Sequence, residues 1–359
     1  MAGLLRLIAA RNGEGGMTHG RLWPAHPHLL PDELLSSWIV RVAQANAIKL
    51  QTLSWQLFGN GRSPWNRDID RSAPPWLLRA LCEHTGCNYW DAFHATLVTY
   101  RGRLYPRRRS TGQLPWVLPV KSYGMQHTAF SQQFCPACLA EDAVPYFRKQ
   151  WRLALLTYCP KHQIGLHDEC PSCHAPIALH RGDFGRELKD ALPMHVCAVC
   201  QTDFRLAAHH PVTFPTEELR LFSDQMLQSV LTSGDQVGKF DLGFFAVLHQ
   251  LCKVICSRSN HRLLLHHLMA RLGQADEPLL PAGRIGIEDL RSDARRQVLT
   301  CALWLMEDLD ARLKDAWRAK IIRYNLMLKD FDRMPRWYLT IVKEFSNWRQ
   351  INGSKSDSA

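Results

Sequence analysis

The sharpest chemistry in the chain lies between Phe134 and Cys200. Four close pairs follow one another there: Cys135/Cys138, Cys159/His162, Cys170/Cys173 and Cys197/Cys200. Each pair has two residues between its members. Thiolate sulfur and imidazole nitrogen are the ligands that zinc gathers into a tetrahedron. A tight Cys-x-x-Cys turn aims two of them at one ion, so four pairs make two complete sites. In chain order, the first site is Cys135, Cys138, Cys159 and His162. The second is Cys170, Cys173, Cys197 and Cys200. An interleaved pairing, with Cys135/Cys138 joined to Cys170/Cys173, satisfies the same spacing. His167, His174 and His195 lie nearby and read as surface or supporting histidines. Closed four-ligand sets leave no open position for a substrate, so the expected cofactor is structural Zn2+, two per chain. Disulfides are the competing reading. They belong to small secreted domains, and this chain has 359 residues and no convincing secretory signal.

Twelve cysteines occur in all. Cys82, Cys87, Cys252, Cys256 and Cys301 have no metal spacing and read as reduced core thiols. Reduced thiols with zinc imply the cytosol, here the bacterial cytosol or nucleoid. No apolar run is long enough to span a bilayer, so a membrane partner is not expected. The formal net charge is +11, and residues 1–119 hold most of the excess, with fourteen Lys and Arg against seven Asp and Glu. Residues 120–210 are nearly neutral. A basic excess in one region points to a polyanion, with nucleic acid first.

The elements that must position these groups follow from periodicity. Residues 1–24 are Gly-rich and read as a disordered extension, within which Met17 competes with Met1 as the natural start. Leu34, Leu35, Trp38, Ile39 and Val42 recur at helical spacing after a Pro31–Asp32 start. Asn46 breaks the run, and Gln51–Phe58 reads as a second short helix ending at Gly59. Two short helices on a tight connection resemble a helix-turn-helix. Residues 60–73 read as a polar loop. A second helix pair follows, from about Trp76 to His84 and from about Asn88 to Tyr100. The loop after it clusters Arg101, Arg103, Arg107, Arg108 and Arg109 with Tyr100, Tyr105 and Trp116, a composition suited to phosphates and stacking. Arg41, Lys49 and Gln51 on the first helix pair join these arginines as candidate DNA contacts.

Beyond Pro215 the chain turns helical. Thr216 begins with a capping-box-like signal, and amphipathic segments continue to about Arg349, interrupted at Pro335. The expected fold is mainly α. A helix-turn-helix-like helical domain covers 25–119 and a double zinc-binding module with short strands, a tandem zinc ribbon or finger, covers 120–210. A helical C-terminal domain covers 211–350, and 351–359 form a disordered tail. No Gly-rich phosphate loop, nucleophile elbow or zinc-protease motif is present. Asp68 and Asp70 are spaced like a metal-binding pair but lack a third carboxylate, so a metal-dependent nuclease is not supported. Catalysis is not expected.

Three stretches resemble one family. PDELLSSWIVRVAQANA looks like the opening motif of the TniQ domain, with its Glu, Ser-Trp and Arg. WNRDIDR is similar to its second motif. FCPACL, followed by WRLALLTYCPKHQIGLHDECPSC, is similar to its zinc core, in the same order. TCALWLMEDLDARL resembles the C-terminal helix of TniQ proteins of mercury-resistance-type transposons. The likeness runs over about residues 25–345; the first twenty residues and the insert from Arg181 to His195 have no counterpart. The resemblance implies a non-catalytic target-selection subunit of a transposition system. Such a subunit binds DNA or a targeting complex, in some systems a guide-RNA effector, and recruits an AAA+ ATPase that admits the transposase. Some relatives act as homodimers. It also implies the ligand sets in chain order. A free-standing zinc-containing helix-turn-helix transcription regulator is the alternative; it shares the metal and the DNA but not the ATPase.

Overall fold

The computed structural model describes residues 22–59, 65, 67–107, 112–123, 126–127, 129–232, 238–257, 262–274, 278–281, 285–329, 331 and 333–347. The expected terminal extension and tail therefore fall largely outside the described residues. The fold is mainly helical, with two short antiparallel hairpins among the described residues: β1 (Ser122–Tyr123) with β2 (Gln126–His127), and β3 (Tyr158–Cys159) with β4 (Ile164–Gly165).

The first helix, α1 (Leu35–Ala45), is the hub of the N-terminal half. Residues 35–43 are all buried, polar ones included. Its first amides lack a local cap and are satisfied from far along the chain. Ser36 N–H donates to Asp70 Oδ1 at 2.8 Å. Leu35 N–H donates to the Ala95 carbonyl, and Leu34 N–H to that of Phe147, both at 2.9 Å. A helix whose start is capped by three distant segments cannot sit on the surface. α2 (Leu50–Phe58) follows after Asn46–Lys49, with Ala47 in the left-handed region at φ 49°. α3 (Ile69–Ser72) packs on α1, α4 (Pro75–Thr85) on α2, and α5 (Tyr89–His94) on α4.

Two sequence expectations need correction here. Residues 60–73 are not simply a polar loop. Trp65, Ile69 and Asp70 are buried, and Asp68 caps α3 by accepting Arg71 N–H at 3.1 Å. The helix expected over 88–100 stops at His94, and Leu97–Tyr100 form a separate 3-10 turn.

The C-terminal half is a helical bundle: α7 (Glu217–Leu231), α8 (Leu242–Ile255), α9 (Leu263–Arg271), α10 (Ser292–Glu307), α11 (Leu309–Arg318), α12 (Tyr324–Met327) and α13 (Arg336–Lys343). α6 (Pro136–Glu141) belongs to the metal-binding region between the halves. α10 is central and touches α7, α8, α9 and α11. Buried apolar residues from Leu34 to Phe345 form one continuous core through all three segments of the chain. Trp116 shows how the halves interlock. Its indole N–H donates to the Phe245 carbonyl of α8 at 3.1 Å, and its backbone N–H to Glu288 at 2.9 Å.

Candidate metal centres and the faces around them

The four ligand pairs share one local device. In each, the N–H of the residue four beyond the first ligand donates to that ligand's carbonyl. Leu139 reaches Cys135 at 3.1 Å, Gln163 reaches Cys159 at 2.8 Å, and His174 and Gln201 reach Cys170 and Cys197 at 3.0 Å. One turn of chain is thereby closed, and both ligands of the pair emerge on the same side. In the first pair the turn continues as α6. In the other three, the residue after the second ligand is left-handed: Gln163 (φ 53°), His174 (φ 57°) and Gln201 (φ 63°). Besides Gly, the residues enriched in that conformation are Asn, Asp and His, so His174 suits it and neither glutamine announces it.

The pairs join in chain order. Cys135, Cys138, Cys159 and His162 form one cluster, and Cys170, Cys173, Cys197 and Cys200 the other, each with ligand atoms within 4.8 Å of one another. A tetrahedron with bonds of about 2.3 Å to sulfur and about 2.0 Å to nitrogen has edges of about 3.5–3.8 Å. In the first cluster Nδ1 of His162 lies 3.4 Å from Cys135 and Cys138 and 3.5 Å from Cys159, and the Cys138 and Cys159 sulfurs are 3.6 Å apart. In the second, Cys170–Cys200 is 3.4 Å and Cys173–Cys197 is 3.7 Å. The ligands thus stand at the spacing a tetrahedral dication requires. Burial pushes the Cys197 thiol up to about 12. A bound cation offsets that cost, because it holds the sulfurs as thiolates.

The two clusters differ in their surroundings. In the first, the three cysteines are buried, and His162 turns its Nε2 to Glu141 at 2.9 Å, which fixes the ring so that Nδ1 faces the sulfurs. In the second, Cys200 is exposed and Cys173 half-buried; Cys200 Sγ contacts Thr202 Oγ1 at 3.1 Å. None of the nearby histidines joins either cluster. His167 stacks on Phe134 at 5.2 Å, His174 pairs with Glu169 at 3.0 Å, and His195 accepts Phe204 N–H through its backbone carbonyl.

Both motifs that precede the metal region are buried polar networks. Glu33 accepts Arg41 Nε at 2.8 Å and Nη2 at 2.7 Å, Ser37 Oγ at 3.0 Å and Leu30 N–H at 3.1 Å. Trp38 donates to the Pro27 carbonyl at 2.8 Å. Arg41, expected among the DNA contacts, is therefore corrected to a structural residue: a buried guanidinium already bound bidentately cannot reach a phosphate. Asp68 and Asp70 do not await a metal. They clamp the fully buried Arg152, at 2.6 and 3.3 Å, and Arg152 also donates to the Leu118 carbonyl at 2.8 Å.

The other candidate contacts divide. Lys49 and Gln51 are exposed at the start of α2, and Arg101 and Arg107 are exposed after the Leu97–Tyr100 turn. Arg103 is corrected: its guanidinium donates to the Ser229 carbonyl at 3.1 Å and to that of Thr232, closing the C-terminus of α7. Arg108 and Arg109 lie outside the described residues.

One functional feature escaped sequence reasoning. Asp183, from the insert that follows the third ligand pair, accepts the Leu50 N–H that opens α2, at 2.5 Å. Gln44 donates to the Leu192 carbonyl at 3.2 Å, and Trp65 stacks on His180 at 5.4 Å. The second metal region thus grips the first helix pair directly. No local signal marks a cap supplied from 133 residues away.

Residues 24–166 match the TniQ family model. The chain carries a TniQ domain. The matched span ends just past the first metal cluster, and it contains the Glu33–Arg41 network, the Asp68–Asp70–Arg152 clamp and all four ligands of that cluster. These contacts hold the N-terminal half to the first cluster. No curated protein matches the chain. No helix among the described residues is long and apolar enough to cross a membrane.

Proposed function

We propose that this TniQ-domain protein is a non-catalytic adaptor of DNA transposition, which engages target DNA or a DNA-bound targeting complex and recruits an AAA+ ATPase regulator and, through it, the transposase. The observation that carries the reading is the TniQ match over residues 24–166. The closed ligand geometry supports structural zinc in both clusters, one ion each. Cys135, Cys138, Cys159 and His162 would hold the first, and Cys170, Cys173, Cys197 and Cys200 the second. The ions would supply rigidity rather than chemistry, since four protein ligands leave no coordination position for a substrate.

The proposed DNA contacts are Lys49, Gln51, Arg101 and Arg107, with Arg108 and Arg109 from the same basic loop. A carboxylate already fills the amide position at the start of α2, so a phosphate is not expected there. Contact by α2 would come from its exposed flank, Gln51, Thr52 and Trp55. The C-terminal bundle, joined to the N-terminal half through Trp116 and Arg103, would offer the partner surface.

The deciding experiment is a pull-down with a transposition AAA+ ATPase, with and without target DNA. Association, and loss of targeted insertion on deletion, are expected. No association in either condition would overturn the reading. For the basic loop, replacing Arg107, Arg108 and Arg109 by Ala is expected to weaken binding on all sequences and to flatten its salt dependence. An unchanged salt slope removes the loop from the interface.

A further inference from the structure

The modest net charge of the C-terminal part hides a local excess. Residues 211–317 hold twelve Lys and Arg against fourteen Asp and Glu, whereas residues 318–343 hold seven against two. The seven are Arg318, Lys320, Arg323, Lys329, Arg333, Arg336 and Lys343, and every one is exposed. The two acids, Asp330 and Asp332, lie outside the described residues.

These cations come from one outer layer of the bundle. The chain from α12 to α13 runs along α8: Gln250 donates to the Leu326 carbonyl at 2.5 Å, and Pro335 lies against Gly243 near the start of α8. α13 then runs back. Tyr338 near its start donates to the Met327 carbonyl at 3.2 Å, and Phe345, just past its end, meets Trp317 of α11 at 5.3 Å. Tyr338 and Val342 are fully buried and define the inner side of α13. Arg336, Thr340 and Lys343, at helical spacing, form the exposed stripe opposite. The stripe is about 10 Å long, and phosphates recur about every 3.4 Å along one strand of a duplex. Arg333 precedes it in the chain, and the Trp317–Phe345 contact brings the end of α11, with Arg318, to its far end. Lys314, on the flank, is neutralised by Asp310 at 2.7 Å and Glu344 at 3.0 Å. Arg318, Lys329, Arg333 and Arg336 make no ion pair among the described residues. Cations gathered on one face without counter-charge repel one another, and a polyanion relieves that repulsion. A protein partner would need an apolar centre. Among the described residues of this layer, Trp337 is the one large apolar side chain that stands out, at 42% exposed.

We propose that the layer formed by the end of α11, α12 and α13 is a second DNA surface, which holds the phosphates of a duplex without reading its sequence. Arg318, Arg333, Arg336 and Lys343 are its main contacts. The inference rests on the reading of this protein as an adaptor that works on DNA. It gives one layer of the bundle to DNA and leaves the remainder to the protein partner. The basic loop after Tyr100 belongs to the N-terminal half, so the two surfaces contribute separate increments to affinity and to its salt dependence.

The test titrates a fluorescein-labelled, mixed-sequence duplex of about thirty base pairs with the full-length, zinc-loaded protein over a range of salt, read by anisotropy. In the triple variant Arg318→Gln, Arg333→Gln, Arg336→Gln, the slope of log affinity against log salt is expected to be shallower than wild type by about 2–3. Affinity in low salt should fall at least tenfold. The matching Arg→Lys triple variant should keep the wild-type slope. Lysine acetylation of the wild type, mapped by peptide mass spectrometry, reads the same surface without any substitution: the duplex should protect Lys320, Lys329 and Lys343 at least threefold. Wild-type binding with an unchanged slope in a folded Gln variant, or with no protection of these lysines, would overturn this inference and leave the adaptor reading standing. A wild type that captures the ATPase but binds no duplex would also overturn it. A Gln variant that binds duplex normally but loses capture of the ATPase, or of phosphatidylglycerol vesicles, would reassign the layer to a protein or a membrane. Absence of both duplex binding and ATPase capture in the wild type would take the adaptor reading down with it.

Discussion

Replacing Arg152 by methionine keeps the bulk of the side chain and removes its charge. Arg152 is fully buried between Asp68 and Asp70, at 2.6 and 3.3 Å. Breaking a buried ion pair by deleting one partner leaves an uncompensated charge and costs about 3–5 kcal/mol. Asp70 makes the effect depend on pH in a defined sense. Burial raises its carboxyl to about 6, assisted by Asp68 and opposed by Arg152 and Ser36. A folded value above the unfolded one means that the fold binds this proton more tightly. The resulting stability is fully present below about pH 4 and is lost as pH rises through about 6. The 3.8-to-6 difference corresponds to about 3 kcal/mol for ionising Asp70 in place. Without Arg152 the largest opposing influence is gone, the carboxyl climbs further, and the window extends to higher pH. Denaturant unfolding of wild type and Arg152→Met, with zinc in excess, should therefore give a larger loss of stability at pH 7.5 than at pH 5.5. Subtracting the wild type at each pH removes the thiolates and every other shared group. Adding Asp70→Asn should recover part of the loss at pH 7.5. A loss below about 1 kcal/mol at pH 7.5, or equal losses at the two pH values, would refute the reasoning from an uncompensated buried charge.

Three further outcomes are expected. Metal analysis should give about two zinc per chain, and chelator should remove the second cluster's ion first because Cys200 is exposed and Cys173 half-buried; single-phase removal would contradict the difference. Asp183→Ala should destabilise the protein by about 1 kcal/mol by uncapping α2, with Asp183→Asn retaining most of that, as measured by denaturant unfolding. Trp116→Ala should cost about 3–5 kcal/mol, since the side chain is completely buried where the two halves meet; a shift in only one of two separated unfolding transitions would argue against a shared core.

The chain shows its local devices plainly and its distant ones poorly. Ligand spacing was enough to pick out the residues that gather in the two candidate clusters, because a two-residue gap and one turn of backbone are the same thing. It left the pairing of the turns open, since that depends on tertiary folding. The helix pair was legible from the spacing of Leu34, Leu35, Trp38, Ile39 and Val42. The same spacing could not show that Arg41 is buried, because its partner Glu33 sits where a surface acid also could. Residues 60–73 read as a loop because their polar residues are many. Asp68 and Asp70 are nonetheless interior, held by Arg152 more than eighty residues later. Arg295 is similar: fully buried, it donates to Gln133 Oε1 at 2.7 Å, and no periodicity marks either residue. Polar residues with distant buried partners are the systematic blind spot.

The carboxylate that opens α2 has a bearing on how this protein can be divided. The helix pair has the outline of a portable reading head, the kind of unit that protein engineers cut out and graft elsewhere. Its first amides are held by Asp70, Ala95, Phe147 and Asp183. A fragment ending at residue 119 keeps only two of these anchors. One ending at residue 166, where the family match stops, still lacks Asp183. The smallest transplantable piece that retains all four anchors therefore extends into the second cluster, and any graft of the helix pair has to carry that cluster with it.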